Sequence, residues 1–91
     1  MSGGRPWDDT ERGRGESVAV AFGRELRSRR EAGGWTQAQV AEAAGLSVSG
    51  VSAMERGRRQ PSLSASFELS RALGLESDAL ARATAARLDA P

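Results

Sequence analysis

Arginines are the residues of this 91-residue chain best suited to chemistry: they make up all thirteen of its basic side chains, against twelve carboxylates. There is no cysteine and no histidine. That removes thiolate nucleophiles, disulfides, zinc sites of the Cys/His kind and the usual proton shuttle near neutral pH, so neither a metal, a cofactor nor an enzyme activity is expected. What remains is charge and hydrogen bonding. The densest run is Arg56-Gly57-Arg58-Arg59-Gln60, whose guanidinium and amide N–H groups suit phosphate oxygens. A second group, Arg24 to Arg30, holds four more arginines. The formal net charge of +1 conceals both. Residues 18–59 carry seven arginines and four glutamates, whereas residues 1–17 and 60–91 are each net −1. The positive potential is therefore a local strip between weakly acidic flanks, as a phosphate binder requires. Charge alone describes an ordinary solvated surface equally well, so the scaffold must decide.

Residue spacing points to a scaffold of short helices. Residues 1–16 hold four glycines, a proline, seven charges and one large aromatic, Trp7. That is too little apolar surface to offset the entropy of ordering, and it predicts a flexible arm. From Ser17 a helical pattern starts, with Val18, Phe22 and Leu26 at i, i+4 and i+8, and it stops at Gly33-Gly34. In Trp35-Thr36-Gln37-Ala38-Gln39-Val40, Thr36 and Gln39 make a capping box and Trp35 with Val40 a hydrophobic staple, so Trp35 is expected in the core. The helix over 37–44 ends at Gly45. Ser47 then caps a helix over 48–56, which Gly57 stops. Pro61-Ser62 open a fourth helix carrying Leu63, Leu69, Ala72 and Leu73 before Gly74. A fifth is expected from Ser77, with Asp78 in its first turn and Leu80, Thr84 and Leu88 on one side. No strand alternation or internal repeat is present, so the prediction is all-α: a compact five-helix domain over 17–91 behind the arm of 1–16.

The helices over 37–44 and 48–56, joined by Gly45-Leu46-Ser47, have the form of a helix-turn-helix unit at about 37–56, in which the second helix enters the DNA major groove. Small Ala41 falls where the helices approach each other. Val40, Leu46, Val51 and Met54 face the core, leaving Val48, Ser49, Ser52 and Ala53 outside. Small residues there let a helix backbone come close to base pairs. Leu26-Arg27, Arg30, Gly34-Trp35-Thr36-Gln37, Ala41, Gly45-Leu46-Ser47, Val51-Ser52, Glu55-Arg56-Gly57-Arg58-Arg59, Pro61-Ser62-Leu63 and Ala72-Leu73-Gly74-Leu75 stand in order and at matching spacing. Over about 22–75 the chain thereby resembles the Cro/C1-type (Xre-like) helix-turn-helix family of bacterial and phage regulators. Its recognition helix is similar to that of phage lambda repressor.

The resemblance implies a lambda-repressor-like DNA-binding domain and a set of roles. Val48, Ser49, Ser52 and Ala53 would contact bases, Ser49 at a base edge and Ala53 at a thymine methyl. Gln37, Ser47, Arg56, Arg58, Arg59 and Gln60 would contact phosphates, with one of Arg24, Arg27 and Arg29 in support. Arg30 and Glu55 would form a structural ion pair, and Leu75, Leu80 and Leu88 a possible dimer surface. Three departures stand out. Val48 replaces a glutamine that grips adenine in lambda-like repressors, and each such bidentate pair missing forgoes roughly 1–3 kcal/mol of discrimination. Gly50 costs about 1 kcal/mol relative to alanine within a helix, which would make sense if the backbone approaches DNA closely there. Ser66 and Ser70 stand where the family usually has apolar residues.

The expected function is a sequence-specific transcriptional regulator of double-stranded DNA, a homodimer acting as repressor or autoregulator. An antitoxin or coregulator that binds a protein partner through the same scaffold is the alternative, favoured by the polarity-poor recognition face. The longest apolar run, Val18-Ala19-Val20-Ala21-Phe22, is far short of the ~20 residues that span a membrane. The expected location is cytoplasmic, on the nucleoid when bound.

Overall fold

Helices in this chain begin where a side-chain oxygen takes up an otherwise orphaned backbone N–H. The computed structural model describes residues 17–90 and holds five helices: α1 (Val18–Ala32), α2 (Gln37–Ala44), α3 (Val48–Glu55), α4 (Leu63–Ala72) and α5 (Ala79–Asp89). Ser17 Oγ accepts from Val20 N, Thr36 Oγ1 from Gln39 N, Ser47 Oγ from Gly50 N and Ser62 Oγ from Ala65 N, at 3.0–3.2 Å. Gln39 Oε1 accepts in return from Thr36 N at 2.9 Å, completing the capping box. The turns that follow α2 and α3 place Gly45 and Gly57 at φ +74° and +73°, in the left-handed region where a Cβ is strained. Arg56 is consequently the C-cap of α3 rather than its last residue.

The fifth helix starts differently from the expectation. It begins at Ala79, two residues after Ser77, and Asp78 at its N-cap makes no side-chain cap bond. Its cap comes from another helix: Ser70 Oγ, fully buried on α4, accepts from Leu80 N at 3.1 Å. A serine where the family has apolar residues thus keeps a buried donor satisfied and joins α4 to α5. Ser66, one turn earlier, is also buried, but its hydroxyl has no hydrogen-bond partner.

The core is built from Phe22, Leu26, Val40, Ala41, Val51, Met54, Leu69 and Leu80. In it α1 packs against α3 and α5, while α2 packs against α3 and α4. The backbones of α1 and α3 meet at Gly23, where any Cβ would collide with the carbonyl oxygens of Met54 and Glu55. An ion pair between Arg87 and Glu25 at 2.9 Å fastens α5 to α1. Two expectations change here. Leu80, assigned to a dimer surface with Leu75 and Leu88, is fully buried against α4 and has no face to offer a partner. Trp35 is 39% exposed and lies over Gly33 instead of entering the core. The arm over 1–16 lies outside the described residues. Among the described residues no helix is long and apolar enough to cross a membrane.

The two buried serines give opposite expectations. Ser70→Ala strands the Leu80 N–H in the core and is expected to cost about 1–3 kcal/mol. Ser66→Ala removes an unpartnered hydroxyl and is expected to leave stability unchanged or slightly higher. Urea unfolding followed by circular dichroism measures both, and equal midpoints for wild type and Ser70→Ala would refute the cross-helix cap.

Candidate nucleic-acid interface

The left-handed turn at Gly45 sends the chain from α2 into α3 with Val40, Ala41, Val51 and Met54 inward. What α3 shows to solvent is Val48 and Ser49 on its first turn and the half-buried Ser52 and Ala53 on its second. Ser47 Oγ, already holding Gly50 N, lies 3.4 Å from Ser49 Oγ. The amino end of α3, with its unpaired N–H groups and the positive end of the helix dipole, is on the same side.

Two arginines fold back from the following turn onto this helix. Arg56 Nη1 donates to Ser52 Oγ, one turn back along α3. A guanidinium therefore borders an outer face that α3's own side chains leave without strong donors. The spacing of Arg56 and Ser52, i and i+4, is the signal in the sequence that could have revealed it. Arg59 reaches back further, to the first turn. A Cβ built on Gly50 would sit 3.0 Å from Ser47 Oγ and 3.5 Å from Arg59 Nη1. Gly50 is buried by these groups, so its backbone is not bared to a duplex as the sequence suggested. A Cβ there would crowd the cap hydroxyl of Ser47 but would meet Arg59 only at ordinary contact distance.

Behind the face, the Glu55 carboxylate gathers the unit together. Arg30 grips it with two bonds, Nε to Oε2 at 2.6 Å and Nη2 to Oε1 at 2.9 Å. Gln37 Nε2 donates to Oε1 at 3.0 Å, and the third nitrogen of Arg30, Nη1, donates to the Trp35 carbonyl at 2.9 Å. The Arg30 and Glu55 side chains are only 13% and 4% exposed. Burial pushes the Glu55 carboxyl up, but the bonds from Arg30 and Gln37 and the charge of Arg30 outweigh it, and the group lies below the usual glutamate value. The hydrogen bond to Glu55 outweighs burial at Arg30 too and raises its guanidinium further. Gln37 is thus placed at the amino end of α2 with one amide N–H committed to Glu55.

Six of the described arginines pair with carboxylates. Arg27 pairs with Glu31, Arg29 with Glu25, Arg30 with Glu55, Arg71 with Glu68, Arg82 with Asp78 and Arg87 with Glu25. Among the described residues, Arg56, Arg58 and Arg59 have no carboxylate partner. They share one loop with Gln60, all four exposed, directly after α3. Leu75 and Leu88 are half-buried and distant in sequence from this loop.

The helix-turn-helix family profile matches residues 26–80, more than half of the chain. The chain belongs to the Cro/C1-type helix-turn-helix family. Solved structures agree. The clp gene regulator ClgR from Corynebacterium glutamicum superposes with a TM-score of 0.72 at 30% identity, over 81% of this chain and 96% of that one. The restriction-modification controller protein C.AhdI from Aeromonas hydrophila gives 0.65 at 40% identity, over 68% and 94%. The hypothetical transcription factor NHTF from Neisseria gives 0.65 at 31%, over 70% and 74%. Comparison by sequence with curated proteins yields no match. As a member of this all-α helix-turn-helix family the protein is a DNA-binding transcriptional regulator.

Removing the Glu55 charge should expose its role. Glu55→Gln takes away the bidentate anion of the largely buried Arg30, leaving only the more distant Glu31 carboxylate at 3.9 Å, and is expected to cost about 3 kcal/mol. Because the folded-state pKa of Glu55 is depressed, its contribution is complete above the ordinary glutamate value of about 4.3 and is lost as pH falls through the lower folded value. Urea midpoints measured from pH 7 to pH 3 should therefore fall more steeply for wild type than for Glu55→Gln. Parallel curves would contradict the assignment.

Proposed function

We propose that the protein binds specific double-stranded DNA as a homodimer, with α3 in the major groove of each half-site, and acts as a repressor or autoregulator. The observation that carries this reading is that Arg58 and Arg59, which have no carboxylate partner among the described residues, adjoin the helix that would enter the groove. Guanidiniums neutralised by carboxylates lose most of their pull on phosphates, whereas Arg58 and Arg59 keep theirs. Arg56, Arg58, Arg59 and Gln60 contact the backbone on one side of the groove. Ser47, the amino end of α3 and the second amide N–H of Gln37 contact it on the other. Ser49 donates to a base edge, while Val48 and Ala53 pack on thymine methyls and Ser52 holds Arg56 at the rim.

Few strong donors face the bases, so DNA shape and half-site spacing carry much of the specificity. A single α3 covers too few base pairs to select a site, which is the reason for the two-fold assembly. The likeness to ClgR, a gene regulator, and C.AhdI, a controller protein, favours control of transcription as the outcome. The working location would be the cytoplasm, on the nucleoid.

Selection of bound duplexes from a random pool, followed by titration at several salt concentrations, tests these roles. Arg58→Ala is expected to weaken all duplexes alike and reduce the salt slope by about one unit. Ser49→Ala is expected to change the preferred base at one position per half-site with the slope intact. The reverse pattern, or no duplex binding at low salt, would overturn the reading.

A further inference from the structure

Arg56 differs from the other cations of the 56–60 loop: a hydrogen bond from its Nη1 to Ser52 Oγ lays the side chain back along α3. Ser49 and Ser52 on α3 and Arg56 at its C-cap stand at i, i+3 and i+7, the spacing of one helix face. Side chains of a helix lean toward its amino end, so the guanidinium of the C-cap residue sits one turn back, at the level of Ser52. Arg56 is exposed, and its Nε and Nη2 donors have no partner among the described residues.

The outward residues of α3 itself are short. Val48 and Ala53 have no side-chain donor, and Ser49 and Ser52 bring one hydroxyl each. None of them can make the paired contact by which a side chain tells one base pair from another in the major groove. A guanidinium can. Its planar fork offers two parallel N–H donors to O6 and N7 of guanine, an acceptor pair that no other base shows there. With Nη1 tied to Ser52, the edge formed by Nε and Nη2 stays open for that pair. A phosphate contact requires neither a free edge nor a seat on the helix, because a cation at any nearby angle serves. Holding a long side chain in place beforehand also reduces the freedom lost on docking. Along the helix axis Ser52 lies about 4.5 Å from Ser49, roughly one base-pair step of about 3.4 Å, so the two positions face neighbouring pairs.

We propose that Arg56 reads a guanine in the major groove, with its Nε and Nη2 donors on O6 and N7, and that Ser52 is the positioning residue that aims it. The assignment rests on the major-groove reading above and moves Arg56 from the backbone to the bases, while Arg58, Arg59 and Gln60 keep the phosphates. Each half-site then carries one guanine about a step away from the base that Ser49 faces. Direct readout is stronger than the side chains of α3 alone would provide.

Selection from a random duplex pool by the full chain, then titration of the selected duplex and of a copy carrying 7-deazaguanine, tests the assignment. The 7-deaza base pairs normally but lacks the N7 acceptor. Wild type is expected to select guanine at one position of each half-site and to bind the 7-deaza duplex about tenfold more weakly. Arg56→Lys keeps the charge without the fork, so the guanine preference should fall about tenfold or more with the salt slope unchanged. Ser52→Ala should lower the preference about threefold, and Ser52→Thr, which keeps the hydroxyl, should restore it. Urea midpoints of these variants close to wild type are expected, since the contact lies outside the core. Arg56→Lys with its guanine preference intact, or an Arg56→Ala variant that loses salt slope but no base preference, would overturn the assignment and leave the groove reading standing. An intact preference in Ser52→Ala would overturn the positioning role. A wild type that binds no duplex at low salt would overturn the groove reading as well.

Discussion

The Glu55 carboxylate is the constraint on which the rest of the molecule depends. It terminates α3, the helix proposed to lie in the groove, and it is almost wholly removed from water. An ion in that position is tolerated only when its lone pairs are used, and here Arg30 from α1 and Gln37 from α2 use them. Arg30 in turn holds the Trp35 carbonyl in the turn that leads to α2. One carboxylate thereby sets the end of α3 relative to both preceding helices. The Gly23 contact does the same from the backbone side, since α1 can approach Met54 and Glu55 closely only without a Cβ. Apolar packing alone would allow α3 to slide or rotate by a few degrees; directed charged bonds at its end do not.

That anchoring sorts the charge of the protein. Arg27, Arg29 and Arg30 on α1, Arg71 on α4 and Arg82 and Arg87 on α5 are spent on carboxylates within a turn or across a helix contact, where exposed pairs add at most about 1 kcal/mol each. The loop after α3 has no acidic neighbour to neutralise it. A chain of net charge +1 can hence present a concentrated cationic edge. Folding sharpens the edge further, because Arg56 and Arg59 turn back along α3.

Ser66 and Ser70 show how little residue type alone says about a buried polar group. Both depart from the family's apolar pattern and both are buried on α4. One meets the amino end of α5 and becomes its cap, and the other faces a hollow and meets nothing. The sequence placed the start of the fifth helix at Ser77, two residues early, and Asp78 makes no cap bond. Its replacement was not visible, because the donor and acceptor lie ten residues apart on different helices.

By itself, the sequence determined the helices α1 to α4, the capping box, the glycine turns, the outward face of α3 and the family. These signals act within about four residues, so spacing is enough to read them. It also placed the cationic strip, and the family pattern pointed to Arg30 with Glu55. Tertiary structure decided which arginines are neutralised, that Leu80 closes the core, and that Trp35 stays half outside. Each of these depends on which groups packing brings together across separations such as the 25 residues from Arg30 to Glu55 or the 62 from Glu25 to Arg87. Local propensity holds no record of such distances; the angle at which α1 receives α3 and α5 sets them.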